Sequence, residues 1–252
     1  MTGIARFSKF LAGLGIGAYE EWRPGMKRKI LLAGYNGARN TGSDVRVAAI
    51  AKQIRELFGK ENVHITVMTL NPASMAGYFD EDVELLPFSS FFPFDLYRAC
   101  CTHYAAILCE GSTLKSTFAN ALTLFMGEAA GIMKSQKKSC LAYGSEVGQM
   151  EPFLKRAVKR LFRDTWFITR TEDSYTALRQ LGLHGHAGTD AAWSYEGAIP
   201  SEEAQKLLRD QGWDGERPLL GIAVIDPFCW PVRASLLKWI KRKPERRSFR
   251  AI

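Results

Sequence analysis

The sequence gives its cysteines no pattern that a disulfide framework or a zinc site could use. Cys100, Cys101, Cys109, Cys140 and Cys229 are odd in number, form no C-x-x-C pair and mostly sit in apolar runs, where a thiol packs as a small hydrophobe. That usage points to a reducing compartment and to no structural zinc, with no metal ligand among the candidate site residues. Histidine is scarce as well: His184 and His186 flank Gly185, but no second ligand pair follows at a useful spacing, so a loop is expected there. No stretch resembles a membrane span. The longest apolar candidate, 114–133, is interrupted by Lys115 and Glu128. A Walker A loop is excluded because Ser43 follows Gly42 directly, where a lysine would have to stand. The glycines around Ser145 are misplaced for a nucleophile elbow, and Gly13, Gly15 and Gly17 follow no strand, as a dinucleotide fingerprint would require.

A surplus of positive charge is present, but it is local. Of the formal net charge of +8, residues 231–252 hold eight cations against the single acid Glu245, which leaves the main body near neutral. With no DNA- or RNA-binding motif beside it, this tail is expected to be solvated and not a nucleic-acid arm. A 46% share of hydrophobic residues in 252 suffices for at least one full core.

From Lys29 onward, short apolar runs alternate with longer segments of helical period, the signature of βαβ units. Strands are expected at 30–35, 64–70, 104–109, 139–143 and 166–169, and helices at 44–58, 95–102, 114–133, 152–163 and 172–181, the last stopped by Gly182. The expected fold is therefore α/β, a doubly wound and mostly parallel sheet. Four units follow: an amphipathic extension over 1–28, a Rossmann-like domain over 29–196, a linker helix over 197–216, and over 217–252 one strand (219–225) and one helix of a second, truncated α/β domain. Ile4, Phe7, Leu11 and Leu14 space the extension as a short amphipathic helix that packs on the domain or lies on a membrane surface. In 152–163, Phe153, Leu154, Val158 and Leu161 alternate with Lys155, Arg156, Lys159 and Arg160. That pattern suits a surface helix or a contact with anionic lipid.

Open parallel sheets bind ligands where strands end and helices begin, and several segments of this kind carry polar groups. In AGYNGARNTGSD, 33–44, Gly37 and Gly42 allow close backbone approach. Asn36, Asn40 and Ser43 supply hydrogen bonds, Arg39 supplies charge, and the following helix start favours an anion. Glu110 in 109–113 is a candidate acid or base, with Gly111 beside it and Ser112 as a ligand contact or a helix cap. Gly144 lies in a third such loop. Arg170 ends another strand with a planar fork suited to phosphate or carboxylate. Asp190 either orients that arginine or caps a turn.

The order of a G-Y-x-G-x-x-N-x-G-x-D-like loop, a Gly-Ser strand end, an aromatic-Gly loop, an R-x-x-x-S helix entry and an Asp-Ala-Ala strand end resembles the polysaccharide pyruvyl transferase family over 29–193. The resemblance implies a glycosyltransferase-B-like fold. It also implies transfer of pyruvyl from phosphoenolpyruvate to two hydroxyls of a cell-envelope polysaccharide or lipid-linked sugar, without a cofactor. Arg170 would bind the donor, Asn36, Asn40, Ser43 and Asp44 would hold or deprotonate the acceptor, and Glu110 is the alternative base. A cytoplasmic protein, peripheral at the inner face of the membrane, fits that role. Two other readings remain open: a glycosyltransferase using a nucleotide-sugar, and a non-catalytic half-protein that binds a glycan or a partner.

Overall fold

The computed structural model describes residues 27–79, 82–88, 92–116, 120–196 and 201–222. It is an α/β structure built on one seven-stranded, all-parallel sheet. In chain order the elements are β1 (Arg28–Ala33), α1 (Thr41–Phe58), β2 (Val63–Thr69), the single turn α2 (Pro72–Met75), β3 (Val83–Pro87), α3 (Phe92–Thr102), β4 (Ala105–Leu108), α4 (Asn120–Ser135), β5 (Ser139–Ser145), α5 (Pro152–Leu161), β6 (Trp166–Thr169), α6 (Glu172–Gln180), β7 (His184–Ala187) and α7 (Ser201–Asp210).

The strand order β3-β2-β1-β4-β5-β6-β7 means that the chain winds outward from β1 in one direction, then returns to β1's other side and winds outward again. The reversal lies between β1 and β4, which pair in parallel from Ile30↔Ala105 to Ala33↔Leu108. Every strand points the same way, so the segments leaving β1, β4, β5, β6 and β7 emerge on one edge.

Alternation along β1 assigns the two faces. Leu31 and Ala33 join a core with Leu96 and Cys100 of α3, Met126 and Met133 of α4, Leu154 and Val158 of α5, and Phe162 and Phe167. Ile30 and Leu32 join the other core with Val47, Ile50 and Ile54 of α1, Ile65 and Val67 of β2, and Met75. A sheet covered on both faces explains why its central strands read as continuous apolar runs.

The expected strands and helices are found, with four differences. The helix expected from residue 114 begins at Asn120. Leu114 instead pairs with Val147, donating its N–H to Glu146 O at 3.1 Å, so this stretch runs beside the exit of β5 and Ser112 caps no helix. The His184-Gly185-His186 segment is an edge strand and not a loop: a β-carbon at Gly185 would lie 2.2 Å from the carbonyl oxygen of Phe167, so only glycine admits the close pairing seen here. β3 had not been anticipated. Leu219, Leu220 and Ile222 form no strand and stand exposed, and the rest of 219–225, the helix expected near the end of the chain and the extension over 1–26 lie outside the described residues. Among the described residues, no helix is long and apolar enough to cross a membrane.

Candidate functional site

The segment after β1 is fastened to β2 before it presents anything to solvent. Asn36 is fully buried; its Nδ2 donates to Met68 O at 3.0 Å, and its own carbonyl accepts from Leu70 N at 3.0 Å. Gly37 stands at φ +73°, where a β-carbon would lie 2.2 Å from Oγ1 of Thr69, so glycine is required twice over. Its N–H donates to Oδ1 of Asp44 at 2.8 Å, and its carbonyl accepts from Oγ of Ser74 at 3.2 Å. Burial lifts the Asp44 carboxyl above the ordinary carboxylate value, and the Gly37 N–H works against that rise. Asn36, Gly37 and Asp44 therefore hold the loop from beneath. Arg39 and Gly42 are exposed and Asn40 is half-buried, all at the start of α1, where the Asn40 carbonyl accepts from Ser43 N and Asp44 N.

Ser43 turns inward. Its hydroxyl donates to Oε2 of Glu110 at 3.3 Å, across the switch point between β1 and β4. Glu110 also accepts from Ser112 N at 3.4 Å and lies 3.8 Å from Nη1 of Arg46. Arg46 is only 7% exposed, and Nε and Nη2 of its guanidinium donate to the two oxygens of Asp190 at 2.8 and 2.7 Å. Burial alone would push the arginine toward neutrality, yet the paired bond to Asp190 outweighs it and its affinity for the proton rises. On the other side, burial raises the Asp190 carboxyl and the Arg46 bond more than reverses this, leaving it below the usual carboxylate range.

A second half of the network extends from Arg170. Its Nη2 donates to Oε2 of Glu146, its Nη1 lies 3.7 Å from Asp190, and Glu146 also accepts from Nζ of Lys115 at 2.8 Å. Burial, and next the neighbouring Arg170 charge, hold the Lys115 ammonium below an ordinary lysine. Gly111 lies between the two arginines: a β-carbon there would stand 3.0 Å from Nη1 of Arg170 and 3.0 Å from Nη2 of Arg46. Three cations and three carboxylates thus neutralise one another at the edge of the sheet. Exposure is uneven along this chain of pairs. The side chains of Arg46 and Glu110 are each 8% accessible, whereas Arg170 and Glu146 are 30% and 28% accessible. Arg170, paired with Glu146, is therefore the most accessible cation of this network.

Of the residues read from sequence, Ser43, Glu110, Gly111, Arg170 and Asp190 meet in this network, and Arg39, Asn40 and Gly42 border it at the start of α1. Asp190 caps the turn, Oδ1 accepting from Ala192 N at 3.1 Å, while the arginine it holds by hydrogen bonds is Arg46; Arg170 lies 3.7 Å away. Gly144 lies on an irregularity of β5 beside the backbone of Asp190 and Ala191, and its φ of +67° is what favours glycine there. Arg46, Lys115 and Glu146 were not foreseen. One signal existed for Arg46: it occupies the same helical stripe as Ser43, Ile50 and Ile54, a position where a buried arginine needs a partner. No family model and no curated protein matches this chain.

Proposed function

We propose that this chain carries a sugar-hydroxyl transferase site of the polysaccharide pyruvyl transferase kind, with phosphoenolpyruvate as donor. The observation that carries the reading is the approach of two guanidinium groups to Gly111, beside Glu110, at the switch point of a parallel sheet. The chemistry calls for that set. A proton added to the donor's methylene carbon makes a methyl group and leaves positive charge on the adjacent carbon. One sugar hydroxyl adds there and gives up its proton, and the bond to phosphate breaks. A second hydroxyl takes the place of the phosphate, so the products are a cyclic ketal and inorganic phosphate. Such a reaction needs a general acid for the methylene carbon, a base for the first hydroxyl and cations for phosphate and carboxylate, and the second hydroxyl's proton leaves on the departing phosphate.

In this reading Arg170, aided by Lys115, takes the anionic donor, because it ends the accessible part of the network. Glu110 is the base and Ser43 orients it. Asp44 is a positioning residue under the loop, since burial and the Gly37 N–H leave it no open side. Arg39, Asn40 and Gly42 face the acceptor hydroxyls. Incubation of the full chain with phosphoenolpyruvate and envelope oligosaccharides rich in neighbouring hydroxyls, followed by proton NMR, tests this. A ketal methyl signal growing with phosphate release supports it; phosphate release that ignores the acceptor, or consumption of a nucleotide-sugar instead, contradicts it.

A further inference from the structure

α5 was a basic amphipathic pattern in the sequence, and the structure settles which side chains face outward. Leu154 and Val158 are fully buried in the core, and Leu161 and Phe162 close onto α4, where a β-carbon at Gly127 would lie 2.8 Å from Cδ1 of Leu161. The opposite stripe holds Lys155, Arg156, Lys159 and Arg160, all exposed; Arg163, also exposed, lies just past the helix end. Spacings of three and four residues place the first four cations along one side of a helix about 15 Å long. The acids that flank this helix in sequence are engaged elsewhere: Glu151 accepts from Nδ2 of Asn120, and Asp164 pairs with Lys134 at 2.7 Å. Because the chain outside residues 231–252 is close to neutral, this concentration of charge is a feature of the helix and not of the surface at large.

One aromatic side chain accompanies the cations. Phe153 is 45% exposed in the first turn of α5, the end nearest the sheet edge that carries Arg170 and Glu146. We propose that this face of α5 docks the protein on an anionic lipid surface, with the five cations against the headgroups and Phe153 entering the headgroup boundary. A single-stranded nucleic acid is the poorer occupant, since its bases call for several stacking rings interleaved with the charges, and this face has one. A bilayer needs only a row of cations and a small apolar anchor. The inference does not depend on the identity of the transferred group.

Co-sedimentation of the full chain with vesicles containing about 30% phosphatidylserine, against pure phosphatidylcholine, at roughly 0.1 M salt tests it. Binding to the anionic vesicles alone is expected. The combined change Lys155→Gln, Arg156→Gln, Lys159→Gln and Arg160→Gln should weaken it by about 600-fold, at roughly fivefold per cation. Phe153→Ala should weaken it about fivefold, and unchanged circular dichroism would show that both variants fold. Wild-type binding by the four-fold variant would overturn the proposal and point to residues 231–252, which stay intact in that protein. Equal binding to the neutral vesicles, no binding at all, or tighter binding of a short duplex DNA lost in the same variant would also overturn it. An unchanged Phe153→Ala would remove the anchor from the account.

Discussion

Arg46→Ala is the change that bears most directly on how the site is held. It removes two charge-assisted bonds to Asp190, at 2.8 and 2.7 Å, and the charge facing Glu110 at 3.8 Å, leaving two carboxylates in a poorly hydrated place. Breaking a buried pair by removing one partner costs about 3–5 kcal/mol. Here Nη1 of Arg170, 3.7 Å from Asp190, can swing in as a partial substitute, so the lower end, about 3 kcal/mol, is expected. For a domain of this size that corresponds to a fall in Tm of roughly 6–12 °C. The pH dependence has a definite sign. Asp190 is held below its ordinary value in the folded protein, so its contribution is complete above the unfolded-state value of about 4 and is lost as pH falls through the folded value. The gap between wild type and Arg46→Ala should be full at neutral pH and shrink in acid. Chemical denaturation of wild type, Arg46→Ala, Asp190→Ala and the double variant forms a cycle whose coupling should exceed about 1.5 kcal/mol. A coupling near zero, or an Arg46→Ala cost under about 0.5 kcal/mol, would refute the reasoning.

Two further perturbations have clear expectations. Gly37→Ala combines a φ of +73° with a β-carbon 2.2 Å from Oγ1 of Thr69, and should cost about 3 kcal/mol by equilibrium denaturation. Adding Thr69→Ala should return about 1 kcal/mol of this by removing the closest clash. Burial lifts Glu128 of α4 to about 7 from an ordinary 4.5, so it binds more protons folded than unfolded and the protein should lose stability as pH rises through that interval. Partial solvation limits the loss to about 1–2 kcal/mol, and Glu128→Gln should abolish it in thermal melts between pH 5 and roughly 8.

The parts of the fold legible in the sequence were those fixed by burial on two faces. β1, β2, β4, β5 and β6 are apolar runs because helices cover both sides of them. β3 carries Glu84 and ends in Pro87 at one edge of the sheet, and β7 reads His-Gly-His-Ala at the other; neither edge needs an apolar run, so neither announces itself. For the site, the polar residues at strand ends, Glu110, Arg170 and Asp190, could be picked out because parallel strands bring their ends to one edge whatever the sequence distance. Arg46 was hidden because its partner Asp190 lies 144 positions away, and one residue's counterion is a tertiary fact. Asp44 looked like a reactive carboxylate by residue type, and only the Gly37 N–H seated on it reveals the loop-holding role.

The most direct test of the central claim is calorimetric titration of the full chain with phosphoenolpyruvate, and separately with a nucleotide-sugar, using wild type and Arg170→Ala. Phosphoenolpyruvate should bind wild type and lose at least about tenfold in affinity on Arg170→Ala, the loss of one charge-assisted contact, while the nucleotide-sugar should not bind. Binding of the nucleotide-sugar alone, or phosphoenolpyruvate binding indifferent to Arg170, would contradict it.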